Sequence, residues 1–187
     1  MNFSALVARR GVVLLCLLGA GLLAGCGGSL RVTTAEVDDA AAIRSASSFH
    51  VKPVEYNFER DPEWEIEDSD WPTKTGEWST AFAQEAATAD RPVDSLAAGA
   101  EAKDGAVVEF TVTAMNLGTY AYFFKAPGWI RGQLTITDAK TGSVMFRGTV
   151  DSPGTTDGYD RFSYEGRVKH AHLRVAHDVR WLINRQE

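Results

Sequence analysis

The sequence predicts an α+β domain, a two-layer sandwich in which a mixed, mostly antiparallel sheet of about four to five strands packs under two helices. Three observations predict it. Residues 106–151 hold three runs in which apolar and polar side chains alternate. The last two runs are separated by a short polar loop ending in glycine, and the stretch from about Asp160 to Arg185 repeats apolar residues every three or four positions. Period two marks a strand with one buried face, and spacing of three to four marks an amphipathic helix.

Ahead of the domain, Arg9 and Arg10 precede an uncharged run from Gly11 to Ala24, the pattern of a secretory signal. The run is too short for a spanning helix, which needs about 20 apolar residues. Leu23-Ala24-Gly25-Cys26 resembles the lipobox of bacterial lipoproteins. That resemblance implies that residues 1–25 are removed and that Cys26 carries a diacylglyceryl group as the new N-terminus. It also implies an outer-membrane address facing the periplasm, because Gly27 stands where an aspartate commonly signals inner-membrane retention. Cys16 falls in the removed segment, which leaves Cys26 as the one cysteine of the mature chain and allows no internal disulfide. Residues 26–48 are small, polar and without sustained periodicity, so they read as the lipidated cysteine and a flexible tether with a reach of roughly 25 Å, shorter if Ala40 to Ala46 forms a weak helical turn. The domain then covers 49–187.

Phe49 to Phe58 reads as the first strand, with Val54, Tyr56 and Phe58 on one face and Pro53 confining it to a sheet edge. An acidic stretch follows, holding Glu55, Glu59, Asp61, Glu63, Glu65, Glu67, Asp68 and Asp70. With Pro62, Pro72 and Gly76 as interruptions, it reads as a long surface loop whose Trp64, Trp71 and Trp78 dock onto the body. Trp78 to Ala89 reads as a helix, since Trp78, Phe82 and Ala86 fall at spacing four. Residues 91–105 read as an Ala-rich connection. Val108, Phe110, Val112 and Ala114 then form one apolar face; Ile130, Leu134 and Ile136 the next; and Val144, Phe146, Gly148 and Val150 the third. Asp138-Ala139-Lys140-Thr141-Gly142 closes the hairpin between the last two. In the C-terminal helix, Val168, Ala171, Val175, Val179 and Leu182 make the stripe that lies on the sheet.

This order of elements, with the hairpin segment 134–146, resembles small envelope lipoproteins. In outline they are similar to the N-terminal domain of the Tol system's periplasmic protein and to the curli-secretion lipoprotein. The resemblance implies a fold and carries over no catalytic residue.

The net charge of −6 becomes about −8 once residues 1–25 are removed, which argues against nucleic acid or anionic lipid headgroups as the main partner. On a helix, His170 and His172 point about 200° apart, and His170 and His177 stand roughly 10 Å apart along the axis, so neither pair holds one zinc. Asp68-Ser69-Asp70 lacks the glycine and later ligands of a calcium loop. No Gly-x-Ser-x-Gly turn supplies a nucleophile. The face of His170, Arg174, His177 and Trp181 reads as solvated helix surface. The sequence therefore implies no cofactor, metal site or catalytic residue. It points to a non-enzymatic, lipid-anchored envelope module for protein interaction or assembly, with a carrier of lipid or a small hydrophobic ligand as the alternative. The candidate partner or ligand surface is Tyr120, Tyr122, Phe123, Phe124 and Trp129, an aromatic segment joining two strands. Exposed, it forms a binding surface; buried, it extends the core.

Overall fold

The structure, a computed structural model, describes residues 31–64, 66–121, 124–155 and 158–185. The signal segment 1–25 and the lipidation site Cys26 lie outside them. In chain order the elements are β1 (Val32–Asp38), α1 (Ala40–Ser45), β2 (Phe49–Val51), β3 (Glu55–Tyr56), α2 (Trp71–Ala86), β4 (Val93–Ser95) and β5 (Ala106–Asn116). They continue with β6 (Thr119–Ala121), β7 (Phe124–Ala126), β8 (Trp129–Asp138), β9 (Val144–Pro153), a 3-10 turn (Tyr159–Phe162) and α3 (Tyr164–Asn184).

The three alternating runs become β5, β8 and β9, paired antiparallel at the centre of a seven-stranded mixed sheet. Its order is β1-β9-β8-β5-β2-β4, with β3 also on β5. β1 runs antiparallel to β9, whereas β2 and β3 run parallel to β5, and β4 parallel to β2. Most of the apolar faces read from the sequence point inward: Val108, Phe110, Val112, Ile130, Leu134, Ile136, Phe146 and Val150 are all buried, but a register shift after Val112 leaves Ala114 half-buried and buries Met115 instead, and at the start of β9 Met145 is buried beside a half-buried Val144. Gly132 faces the same way for a steric reason, since a Cβ there would meet the Phe110 ring at 2.7 Å and the Thr111 carbonyl oxygen at 2.3 Å. α3 lays its expected stripe on this surface, and Val168, Ala171, Val175, Val179 and Leu182 have no exposed area. α2 lies beside α3 and adds Trp78, Phe82 and Ala86 to the same core. Each large apolar side chain buried there contributes roughly 1.5–3 kcal/mol before the cost of ordering it.

Six expectations are corrected. Residues 32–48 belong to the folded domain rather than to the tether: β1 is an edge strand of the sheet, the Asp39 carboxylate caps α1 by accepting from the Ala42 amide at 2.9 Å, and Ile43 is fully buried. The 49–58 strand breaks at Pro53 into β2 and β3, and β2 is an interior strand between β5 and β4. The Val54 amide beyond the proline finds its acceptor in the Ser79 hydroxyl of α2. The helix expected from Trp78 begins at Trp71, because Pro72 sits in the first turn, where its missing amide proton costs nothing. Residues 93–95, read as connection, form a strand, and the sheet has seven strands instead of about four to five.

Candidate interaction surface

The aromatic segment leaves the sheet. β5 ends at Asn116 and β8 starts at Trp129, and between them β6 and β7 pair as a separate two-stranded arm. Two glycines pinch its root: Gly118 and Gly128 both take positive φ, and a Cβ on Gly118 would fall 2.3 Å from the Gly128 nitrogen, so no side chain fits there. Arg167 of α3, itself buried, holds the arm in place. Its guanidinium donates to the carbonyl oxygens of Leu117 (2.9 Å), Gly118 (3.2 Å) and Arg161 (2.7 Å), tying the root of the arm to the 3-10 turn. Burial lowers the Arg167 pKa from its ordinary value.

Above this clamp Tyr120 stands edge-on against Phe162, with ring centroids 4.8 Å apart. The Arg161 guanidinium lies over both rings, 5.7 Å from Tyr120 and 4.6 Å from Phe162, and Lys125 Nζ lies 5.8 Å from Tyr120. Phe162 is 53 % exposed and Tyr159 93 % exposed, the two most exposed large apolar residues among those described. The arm and the turn thus form one surface where aromatic rings alternate with cations. Of the sequence-predicted residues, Tyr120 is half-buried on this surface. Trp129 is also half-buried, but it packs under Arg131 at 5.6 Å at the start of β8. Tyr122, Phe123 and the side chain of Phe124 lie outside the described residues, although the Phe124 backbone belongs to β7. The partners from the 3-10 turn carried no sequence signal, because Tyr159, Arg161 and Phe162 follow no strand or helix period.

Two polar clusters elsewhere bear on chemistry. His172, placed by its helix phase away from His170, is fully buried in the core. Its Nδ1–H donates to the Val168 carbonyl oxygen at 2.9 Å, since a carbonyl can only accept, and Nε2 accepts from the Tyr56 hydroxyl at 2.9 Å. Trp78 stacks on the imidazole with centroids 5.8 Å apart. Burial pulls the His172 pKa down to about 4 and pushes that of the Tyr56 phenol well above its ordinary value. The imidazole is therefore neutral, and both its nitrogens are engaged. Trp71, Phe58 and Trp64 extend the same aromatic cluster through Tyr56, which is where the docking tryptophans of the acidic stretch come to rest.

The second cluster is a Ser48–His50–Asp94 chain, which the sequence did not reveal because Asp94 arrives through the parallel pairing of β4 with β2. His50 Nδ1 lies 2.5 Å from Asp94 Oδ1, and Nε2 lies 3.3 Å from Ser48 Oγ. These contacts resemble a nucleophile, base and orienting acid. The serine packs near Gly105, where an added Cβ would fall 2.4 Å from Ser48 Oγ. Two open grooves lie elsewhere on the described surface: one of about 680 Å³ beside Glu77, Gln84, Glu165 and Lys169, the other of about 370 Å³ beside Arg44, Asp90, Arg91 and Arg185. His170 is half-buried and His177 exposed. The adjacent Asp178 is buried and accepts from the Arg31 amide at 3.0 Å; burial raises its pKa against the opposing pull of that bond and of the Arg31 charge. Among the described residues no three His, Cys, Asp or Glu side chains gather as metal ligands, and no helix is long and apolar enough to cross a membrane.

No protein-family model matches the chain, and no curated protein matches it. Solved structures are similar to it in part. A PelC dodecamer from Paraburkholderia phytofirmans aligns with a TM-score of 0.49 and 13 % identity, over 82 % of this chain and 97 % of that one. Hypothetical protein CT253 from Chlamydia trachomatis aligns with a TM-score of 0.46 and 14 % identity, over 72 % and 94 %. Lipoprotein GNA1162 from Neisseria meningitidis aligns with a TM-score of 0.35 and 16 % identity, over 60 % and 86 %. None of these carries a role over to this chain.

Proposed function

We propose that this protein is a non-enzymatic lipoprotein of the bacterial envelope, held by acyl chains on Cys26 at the periplasmic face of the outer membrane, and that it works by contact, as an interaction or assembly-accessory module. The observation that carries the contact half of this reading is the aromatic and cationic surface of Tyr120, Lys125, Tyr159, Arg161 and Phe162, clamped from below by Arg167. Aromatic and arginine side chains held in place by a rigid scaffold are what interfaces use for affinity, because their area is gained with little loss of freedom. The anchor half rests on the lipobox-like Leu23-Ala24-Gly25-Cys26.

The packing favours this over the carrier alternative. That alternative forms its pocket from the aromatic segment and the gap between helix and sheet, yet Phe82, Phe110, Ile130, Ala171 and Val175 fill that gap with at most 1 % exposure each. Against catalysis stands the engagement of both His172 nitrogens. A photo-reactive residue in place of Tyr159, activated in intact cells, is expected to join the protein to another envelope component. Recovery of uncrosslinked monomer alone overturns the reading.

A further inference from the structure

The point where the chain enters the sheet decides which end of the domain faces the anchor. Val32 pairs with Val150, and the Arg31 carbonyl oxygen accepts from the Asp151 amide at 3.1 Å. β9 runs toward its end at Pro153, which pairs with Trp129, and the Gly154 amide donates to the Gly128 carbonyl oxygen at the root of the arm. Because β1 is antiparallel to β9, the chain followed backward from Val32 travels toward that same end. Five peptide steps separate Arg31 from Cys26. At the limit of extension they span about 18 Å, well short of the reach a tether of 26–48 would have given.

We propose that the surface formed by Tyr159, Phe162, Tyr120, Arg161 and Lys125 docks on the lipid headgroup layer of the bilayer that holds Cys26, as a second membrane contact beside the acyl chains. The inference deepens the proposed function by naming the component this surface meets, and it rests on the lipidation reading. The short leash brings this end of the domain to the headgroups. The residue types found there are those that the interface favours: amphipathic rings that partition at the boundary, and cations that meet phosphates. Acidic groups set the kind of contact. Asp160 lies within the turn, and the stretch from Asp61 to Asp70 follows β3, which pairs parallel to the far part of β5 and so runs toward the same end on the flank away from β1. The patch is therefore not a polybasic site, and ring insertion between zwitterionic headgroups drives the docking, with little dependence on salt.

The mature chain has no free thiol once Cys26 is acylated, so Tyr159→Cys and Lys140→Cys each give one labelling site, at opposite ends of the sheet. Both positions are exposed. The full processed lipoprotein, labelled with a polarity-sensitive fluorophore and reconstituted into phosphatidylethanolamine vesicles with a minor phosphatidylglycerol fraction, is expected to show the residue 159 label blue-shifted and several-fold less quenched by iodide than the residue 140 label. Equal quenching at both positions in protein that still floats with the vesicles overturns the docking and leaves the anchor intact. Protein that does not float, with Cys26 unmodified by mass, removes the anchor and this inference together. A crosslink from position 159 to a protein or to a second copy, with no lipid adduct, also overturns it.

Discussion

Replacing His172 converts its burial into a measurable pH dependence. In the unfolded chain its pKa is about 6.5, and in the folded core it is held down to about 4 by burial among Tyr56, Trp78 and Phe110, none of which is a carboxylate. Above pH 6.5 the imidazole is neutral in both states and titration costs nothing. Between pH 6.5 and 4 the unfolded chain binds a proton that the folded chain refuses, so the folded state loses ground as pH falls. A gap of about 2.5 units at about 1.4 kcal/mol each, less the partial protonation at the lower limit, amounts to about 3 kcal/mol between pH 7 and pH 4. His172→Gln keeps an acceptor for the Tyr56 hydroxyl but does not titrate. Urea denaturation of both proteins across that range is the assay, and the difference between their stabilities cancels the titration of other groups, Asp178 included. The wild type is expected to lose about 3 kcal/mol relative to the variant, mostly below pH 6. A difference that stays constant with pH refutes the assignment of a neutral, sealed imidazole.

Tyr56→Phe removes the donor to His172 Nε2 and is expected to cost about 1–3 kcal/mol at neutral pH, read as a lower thermal midpoint. Arg167→Ala frees three carbonyl groups and the root of the arm; hydrogen exchange is expected to accelerate at residues 117–121 and 159–162 while α2 stays protected. Gly132→Ala forces a methyl group against the Phe110 ring and the Thr111 carbonyl and is expected to destabilise by about 1–3 kcal/mol, read as a lower urea midpoint. Limited trypsin digestion of the mature protein is expected to spare Arg44, whose carbonyl oxygen accepts from Arg91 in the turn after the buried Ile43, whereas a flexible tether would be cut there.

What the sequence made legible were the elements whose burial follows a period. β5, β8 and β9 alternate over most of their length, apart from the ends of β5 and the start of β9, because helices cover one face and the other is polar, and α3 keeps one unbroken apolar stripe. β1 was illegible because an edge strand with only Val32 and Val37 half-buried has no apolar face to display, and its pairing with β9 spans the whole domain. The first two turns of α2 were hidden by Pro72, which breaks a helix interior and fits a helix start equally well. β4 is three residues long with two exposed. The candidate surface was half legible. The aromatic run from Tyr120 marked the arm, but its partners Tyr159, Arg161 and Phe162 come from a turn some forty residues later, joined to it by the reach of Arg167 and by ring and cation contacts that follow no sequence period. The Ser48–His50–Asp94 chain was invisible for the same reason, since a parallel strand pairing brings its acid in.

The orientation of the domain, the short leash and the proposed role all depend on the chemistry at one sulfur atom. Intact mass and N-terminal peptide analysis of the protein purified from its own membranes tests that dependence directly. The account predicts a chain that begins at Cys26 and carries the mass of a diacylglyceryl thioether. A chain that retains Met1, or one that begins at or before Cys26 with the thiol unmodified, contradicts it.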